Sequence, residues 1–142
     1  MTVSPPTIRR SNPRQQGEIG LGAAIGWFTA AGYIVSVPLC DNQPYDLVVD
    51  DGDRLQKVQV KTATGRSPRG AYVVRLVTSG GNRSRSTVKL FDAAASDLLF
   101  VLADDGRTYL IPSRDVRATT SIHLEPKYGH YRVVVAGGFE PP

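Results

Sequence analysis

Within residues 44–62, an acid, an amide and an ammonium fall in one predicted β-hairpin: Asp46, Gln59 and Lys61. Two β-rich stretches flank Asp51-Gly52-Asp53, whose residue types favour a turn. Carboxylate and amide oxygens are ligands for hard divalent cations, and an ammonium beside them can contact a phosphate or a water. This combination suits metal-assisted cleavage of a phosphodiester bond.

The hairpin also predicts how these side chains are oriented. If the connecting loop has four residues, Asp50 pairs with Leu55 and Asp46 lies opposite Gln59. Because side chains alternate between the two faces of a strand, Lys61 shares the face of Gln59. A two-residue turn would move the pairing but keep the faces. The opposite face is apolar and consists of Leu47, Val49, Val58 and Val60.

A helix is predicted before the hairpin. Asn12 is a typical N-cap, Pro13 suits the first helical position, and Gln15 completes a capping box. The helix is expected to continue to Ala31 and to end at Gly32. Its apolar stripe consists of Leu21, Ile25 and Phe28.

The remaining sequence predicts one α/β domain. We expect a flexible basic arm over residues 1–11, a domain over 12–136 and a flexible tail over 137–142. The domain is expected to contain a mixed sheet flanked by helices. Its further predicted elements are strands at 33–38, 71–78, 98–103, 108–111, 121–124 and 131–135, basic loops at 64–70 and 79–86, a short helix at 91–96 and a helical turn after Pro112.

Positive charge is concentrated between Arg54 and Leu90. This window holds nine Lys or Arg residues and no Asp or Glu, within a chain of net charge +4. Such a block favours a polyanionic partner, most often nucleic acid, although a solvated basic surface has the same composition. The residues predicted to contact DNA are Arg66, Arg69, Arg83, Arg85 and Lys89.

Several classes of protein are disfavoured. Cys40 is the only cysteine, so neither an intramolecular disulfide nor a cysteine-based zinc site can form. No apolar run is long enough for a membrane span, and the first residues lack the apolar segment of a signal peptide. We therefore expect a cytoplasmic protein without a membrane partner.

With these polar residues in place, the order helix, strand, hairpin, strand, helix, strand resembles the PD-(D/E)XK nuclease superfamily. The resemblance covers residues 15–115 and is closest to intron-associated homing endonucleases and archaeal-type Holliday junction resolvases. It implies a restriction-endonuclease-like core of helix, three-stranded meander, helix and strand. It also implies a Mg²⁺-dependent DNA endonuclease, with Mn²⁺ as a substitute. The implied metal ligands are Asp46, Gln59, the helical acid Glu18 and the backbone carbonyl of Val60, and the implied catalytic residues are Lys61, Asp46, Gln59 and Glu18.

Gln59 departs from the pattern of the superfamily, because most members have a carboxylate there. Its side-chain oxygen can still bind a cation, but it contributes a dipole rather than a charge. The departure favours the homing branch over the resolvases, and it leaves open a DNA-binding module that has lost cleavage. An α/β interaction protein with an acidic partner is a third hypothesis. Because cutting both strands needs two sites, a homo-oligomer is also expected.

Each site residue also has a structural interpretation. Asp46 could form an Asx-turn, Gln59 and Lys61 could lie on the solvent face of a strand, and Glu18 could simply favour the positive end of its helix.

Overall fold

A computed structural model describes residues 8–80 and 87–134 of the chain. Helix α1 spans Pro13–Ala30 and begins as predicted, since the Asn12 side chain accepts a hydrogen bond from the Gln15 N–H at 2.9 Å. Gly32, which follows the helix, has a φ of +92° that favours glycine. In these described ranges, no helix combines the length and apolar character needed to cross a membrane.

The main sheet has six strands: β1 Ile34–Ser36, β2 Leu47–Asp50, β3 Leu55–Ala63, β8 Leu98–Ala103, β9 Thr108–Pro112 and β11 Arg132–Val133. They lie side by side in this order. β3 and β8 are parallel and the other neighbours are antiparallel, so the sheet is mixed. Helix α1 packs on one face of this sheet, as the expected α/β fold requires.

Two smaller sheets complete the fold. One has the order β10-β5-β4, and the other is the β6–β7 pair. Their strands are β4 Gly65–Arg66, β5 Tyr72–Arg75, β6 Thr78–Gly80, β7 Thr87–Lys89 and β10 Ser121–His123.

Apolar side chains cover both faces of the main sheet. On the helix side, Phe28 of α1 packs in one cluster with Leu47, Val58 and Phe100. The other cluster includes Leu99, Val101, Tyr109 and Ile111. β8 contributes to both clusters, which explains why its sequence is apolar throughout.

The hairpin has the register that a four-residue loop predicts. Asp50 pairs with Leu55, and Leu47 pairs with Val58. In the loop, the Asp51 carboxylate accepts hydrogen bonds from the N–H groups of Asp53 and Arg54, at 2.9 and 3.0 Å. The apolar face therefore points to α1, and the polar face points away from it.

Two predicted elements were wrong. Residues 91–96 form a turn rather than a second helix, because Asp92 accepts hydrogen bonds from Ala94 through its carboxylate and from Ala95 through its carbonyl. The predicted loop at 64–70 contains strand β4, followed by a turn in which the Gly70 N–H donates to the Ser67 carbonyl at 2.8 Å.

The predicted boundaries of the domain are only partly covered by the structure. Residues Ile8–Arg10 form a 3-10 helix with Ile8 buried, so they belong to the folded body rather than to a flexible arm. The Arg9 N–H donates to the Asp104 carboxylate at 3.0 Å. The first two residues of the predicted loop at 79–86 belong instead to strand β6, Thr78–Gly80. Residues 1–7, the rest of that loop and the predicted tail lie outside the described residues.

Candidate active site

Asp46 is held by the backbone of the neighbouring strand. It directly precedes β2, and its N–H donates to the Val58 carbonyl at 2.8 Å. Its side-chain Oδ2 accepts a hydrogen bond from the Val60 N–H at 2.7 Å. These two bonds place the carboxylate beside the part of β3 that carries Gln59 and Lys61.

The three polar residues of the hairpin line one cavity of about 770 Å³. Asp46, Gln59 and Lys61 contribute one wall together with Val60, whose side chain packs on the opposite, helix-facing side of the sheet. The predicted convergence of acid, amide and ammonium on one face is therefore present.

Asp46 and Lys61 influence each other electrostatically. Burial raises the pKa of Asp46, while the Val60 N–H and the Lys61 ammonium oppose this shift. Burial lowers the pKa of Lys61, and the negative charge of Asp46 opposes that shift. Burial thus moves the two pKa values toward each other, while the attraction between the two charges limits both shifts.

The oxygen donors of the site fit a hard divalent cation. Oδ1 of Asp46 and the side-chain amide of Gln59 make no hydrogen bond to the described residues, so both oxygens can act as ligands. Within those same residues, no group of three or more His, Cys, Asp and Glu side chains could hold a metal. One carboxylate with neutral oxygens matches Mg²⁺, which usually binds one or two carboxylates and keeps several waters.

Glu18 is an exposed residue of α1. Its side chain is 67% exposed and lies 3.5 Å from Arg14, an exposed helical pair of a kind that contributes little stability. Glu18 is not among the described residues that line the cavity. Its role as a metal ligand stays a prediction.

The structure adds polar residues that the sequence interpretation missed. Asp41, Asn42 and Gln43 line the cavity, and so does Asp92. The polar segment 41–43 lies just before Asp46, so its position in the sequence was a usable signal. Asp92 had no such signal, because its segment reaches the cavity through tertiary packing, including a bond from the Phe91 N–H to the Thr119 carbonyl at 2.9 Å.

The predicted DNA-contacting residues have different environments. Lys89 is exposed and lines the cavity, and Arg69 is exposed in the turn after β4. The Arg66 guanidinium lies 4.1 Å from the ring centroid of Tyr72 and donates to the Tyr72 hydroxyl and the Gly70 carbonyl. Arg66 is thus bound to other parts of the protein, although 48% of its side chain remains exposed. Arg83 and Arg85 lie outside the described residues.

A helix-backed mixed sheet with Asp46, Gln59 and Lys61 at one cavity is the arrangement that the resemblance to PD-(D/E)XK nucleases implies. The sequence matches the family model for PD-(D/E)XK endonucleases over residues 11–140. The match spans most of the sequence, so the chain belongs to the PD-(D/E)XK endonuclease family.

A solved structure supports the same assignment. The chain is similar to a bacterial homing endonuclease, I-Ssp6803I, with 27% sequence identity and a TM-score of 0.74. The similarity covers 86% of this chain and 89% of that one. No curated protein matches this sequence.

Proposed function

We propose that the protein is a Mg²⁺-dependent DNA endonuclease of the homing type that hydrolyses phosphodiester bonds. The observation that carries this proposal is the convergence of Asp46, Gln59 and Lys61 at one cavity in a PD-(D/E)XK endonuclease. Gln59, where resolvases carry Glu, and the similarity to a bacterial homing endonuclease favour homing over junction resolution.

Asp46, Gln59 and the Val60 carbonyl would hold the metal, and Mn²⁺ would substitute for Mg²⁺. When bound, a divalent cation polarises the scissile phosphate and lowers the pKa of a bound water. Asp46 contributes the full negative charge of this ligand set and is oriented by the Val60 N–H. Gln59 contributes a neutral oxygen, so we expect weaker metal binding than at a site with two carboxylates.

Lys61 acts on the attacking water as a general base. Its lowered pKa supports this role, because a larger fraction of the side chain is neutral at a given pH than for an exposed lysine. Lys61 lies on the same face as Gln59, two residues further along β3, so it is well placed to orient the water as well.

DNA is the proposed partner. Two exposed cations can contact phosphates: Lys89, which lines the cavity, and Arg69, which lies in the turn before β5. Arg83 and Arg85 would add to this DNA-binding surface. We further propose that the protein forms a homo-oligomer, because cutting both strands of DNA needs two active sites. The proposed location is the cytoplasm.

Cleavage with and without metal tests the proposal. The purified protein is incubated with a supercoiled plasmid library carrying random inserts, in Mg²⁺, Mn²⁺ or EDTA, and the cut ends are sequenced. We expect cutting at a restricted set of sites in either metal and none in EDTA. Cutting that persists unchanged in EDTA would contradict metal dependence.

A DNA-binding module without cleavage is the second candidate. It is favoured by Gln59 in place of a carboxylate and by the exposure of Glu18, which is not among the described residues that line the cavity. It predicts salt-dependent DNA binding with intact DNA under every metal condition of the same experiment.

A further inference from the structure

Gly20 makes an unusually close contact between α1 and β3. It is buried, and a methyl group in its place would lie 2.7 Å from Cγ2 of Thr62 and 3.3 Å from Cγ1 of Val60. Real Cβ atoms essentially never lie within 3.0 Å of such an atom, so something in this contact must shift when glycine is replaced by a larger residue.

The contact lies directly behind the candidate active site. Val60 and Thr62 are the two chain neighbours of Lys61 on β3. Because strand side chains alternate, Val60 and Thr62 point to the helix while Lys61 points to the cavity. The Val60 N–H also donates to Asp46, so a shift of β3 here moves both the lysine and the support of the acid.

The neighbouring side chains cannot easily yield. Val and Thr are β-branched, and their methyl groups are fixed close to the backbone by a stiff χ1. If the helix and the strand separate to restore an ordinary contact of 3.4 Å from 2.7 Å, the displacement between them is about 0.7 Å.

We propose that Gly20 is a positioning residue for cleavage, because its missing side chain lets α1 pack against β3 directly behind Lys61. This inference rests on the proposed function, since its role is to fix the groups that would act on DNA. Misplacing catalytic groups by about 1 Å can cost roughly 10²-fold in rate.

The other helical glycines provide matched controls. At Gly17 and Gly22, an added methyl group would meet no atom within 4 Å. Alanine is a better helix former than glycine, so Gly17→Ala and Gly22→Ala should be folded and fully active. Gly20→Ala gains the same helix propensity, and only the contact with β3 distinguishes it from them.

The experiment adds a methyl group at position 20 of the helix and, in a second variant, also removes the methyl group that it contacts at position 62 of the strand. Gly20→Ala is compared with Gly20→Ala/Thr62→Ser, in which the serine lacks the Cγ2 that clashes. The remaining 3.3 Å approach to Val60 needs a shift of only a few tenths of an ångström. Two measurements are made: kcat and KM for DNA from cleavage rates over a range of DNA concentrations at saturating Mg²⁺, and the hydrogen-exchange rate of the Val60 amide by NMR.

We expect Gly20→Ala to lower kcat by roughly 10- to 100-fold with little change in KM, and to accelerate exchange of the Val60 amide. The double variant should restore both quantities most of the way to the parent. A parental kcat together with parental exchange in Gly20→Ala would overturn the proposal, and so would a double variant that restores neither.

The two proposals can fail separately. If the parent protein cleaves none of the plasmid library, the proposed function fails, and exchange at Val60 alone decides whether Gly20 positions β3. If Gly20→Ala does not fold, the double variant decides: recovery of fold and Val60 protection supports the role of Gly20, and failure to recover overturns it.

Discussion

The carboxylate of Asp46 accepts a hydrogen bond from the Val60 N–H at 2.7 Å, across the open end of the β2–β3 hairpin. The bond uses Oδ2 and leaves Oδ1 without a partner among the described residues. It therefore fixes the acid relative to the strand that carries Gln59 and Lys61 while one oxygen remains available to a ligand. The hairpin alone thus sets the relative positions of the three polar groups.

The side chain at position 59 should control the affinity of the site for Mg²⁺. Gln59→Glu adds a second carboxylate to the site, so we expect half-maximal cleavage at a lower Mg²⁺ concentration than in the parent. Gln59→Ala removes an oxygen ligand and should raise that concentration. Mg²⁺ titrations of the cleavage rate measure both effects. Titration midpoints that stay unchanged in both variants would exclude Gln59 as a ligand.

The pH dependence of cleavage should report on Lys61. Burial lowers the pKa of Lys61 from its ordinary 10.5, so its neutral form becomes common at a lower pH. If Lys61 removes a proton from the attacking water, the rate at saturating Mg²⁺ rises with pH and levels off below pH 10.5. Lys61→Arg keeps the charge but cannot act as a base, so it should be inactive. An active arginine variant, or a rate that falls as Lys61 loses its proton, would assign charge neutralisation instead.

Asp46 should make stability depend on pH in the metal-free protein. Burial raises its pKa above the ordinary 3.8, so the folded state binds this proton more tightly than the unfolded chain does. The resulting stabilisation is complete below pH 3.8 and is lost as the pH rises through the folded-state pKa.

Asp46→Asn stays neutral throughout this pH window. Its free energy of unfolding in urea and EDTA should therefore rise relative to that of the parent as the pH increases. A difference between variant and parent that does not depend on pH would mean that the carboxylate is not shifted.

Arg66 and Arg69 should differ although both lie in the basic window. Arg66 stacks on Tyr72 and donates two hydrogen bonds, so Arg66→Ala should lower the free energy of unfolding by about 1 kcal/mol. Arg69 is exposed, so Arg69→Ala should leave stability unchanged. If Arg69 contacts a phosphate, its loss should reduce the slope of log K against log salt by about 0.9.

Lys89→Ala removes a second exposed cation and is tested in the same way. The triple variant, in which Arg83, Arg85 and Lys89 are all changed to Ala, should reduce the slope of log K against log salt by up to about three units. Such contacts carry little sequence information, so the cut sites should stay the same. Unchanged salt slopes in all three variants would support the solvated basic surface that the composition also allows.

The local sequence predicted what depends on local interactions. Asn12 and Gln15 form the expected capping box, and the loop after Asp50 sets the expected hairpin register. The alternation of polar and apolar residues along β3 then determines which side chains share a face. For this reason Asp46, Gln59 and Lys61 could be predicted together before the structure was known.

Features that depend on distant contacts could not be predicted in this way. The sequence predicts that Arg66 contacts DNA, but it cannot show the partners Tyr72 and Asp105. These are brought to Arg66 by the β4–β5 pairing and by the turn between β8 and β9. The Asp92 carboxylate accepts a hydrogen bond from the Ala94 N–H in a turn, so this segment does not form a helix. Tertiary packing then brings Asp92 to the cavity.

Cleavage by Lys61→Ala, compared with Lys57→Ala, tests the central claim most directly. Both lysines lie on β3 and point to the same side of the sheet, but Lys57 is exposed and its ammonium lies 5.3 Å from the ring centroid of Tyr45. At saturating Mg²⁺, Lys61→Ala should cut DNA about 10²- to 10⁴-fold more slowly than the parent, with DNA binding and melting temperature preserved. Lys57→Ala should cut within a few-fold of the parent. A Lys61→Ala rate equal to that of Lys57→Ala would contradict an active site built on Asp46, Gln59 and Lys61.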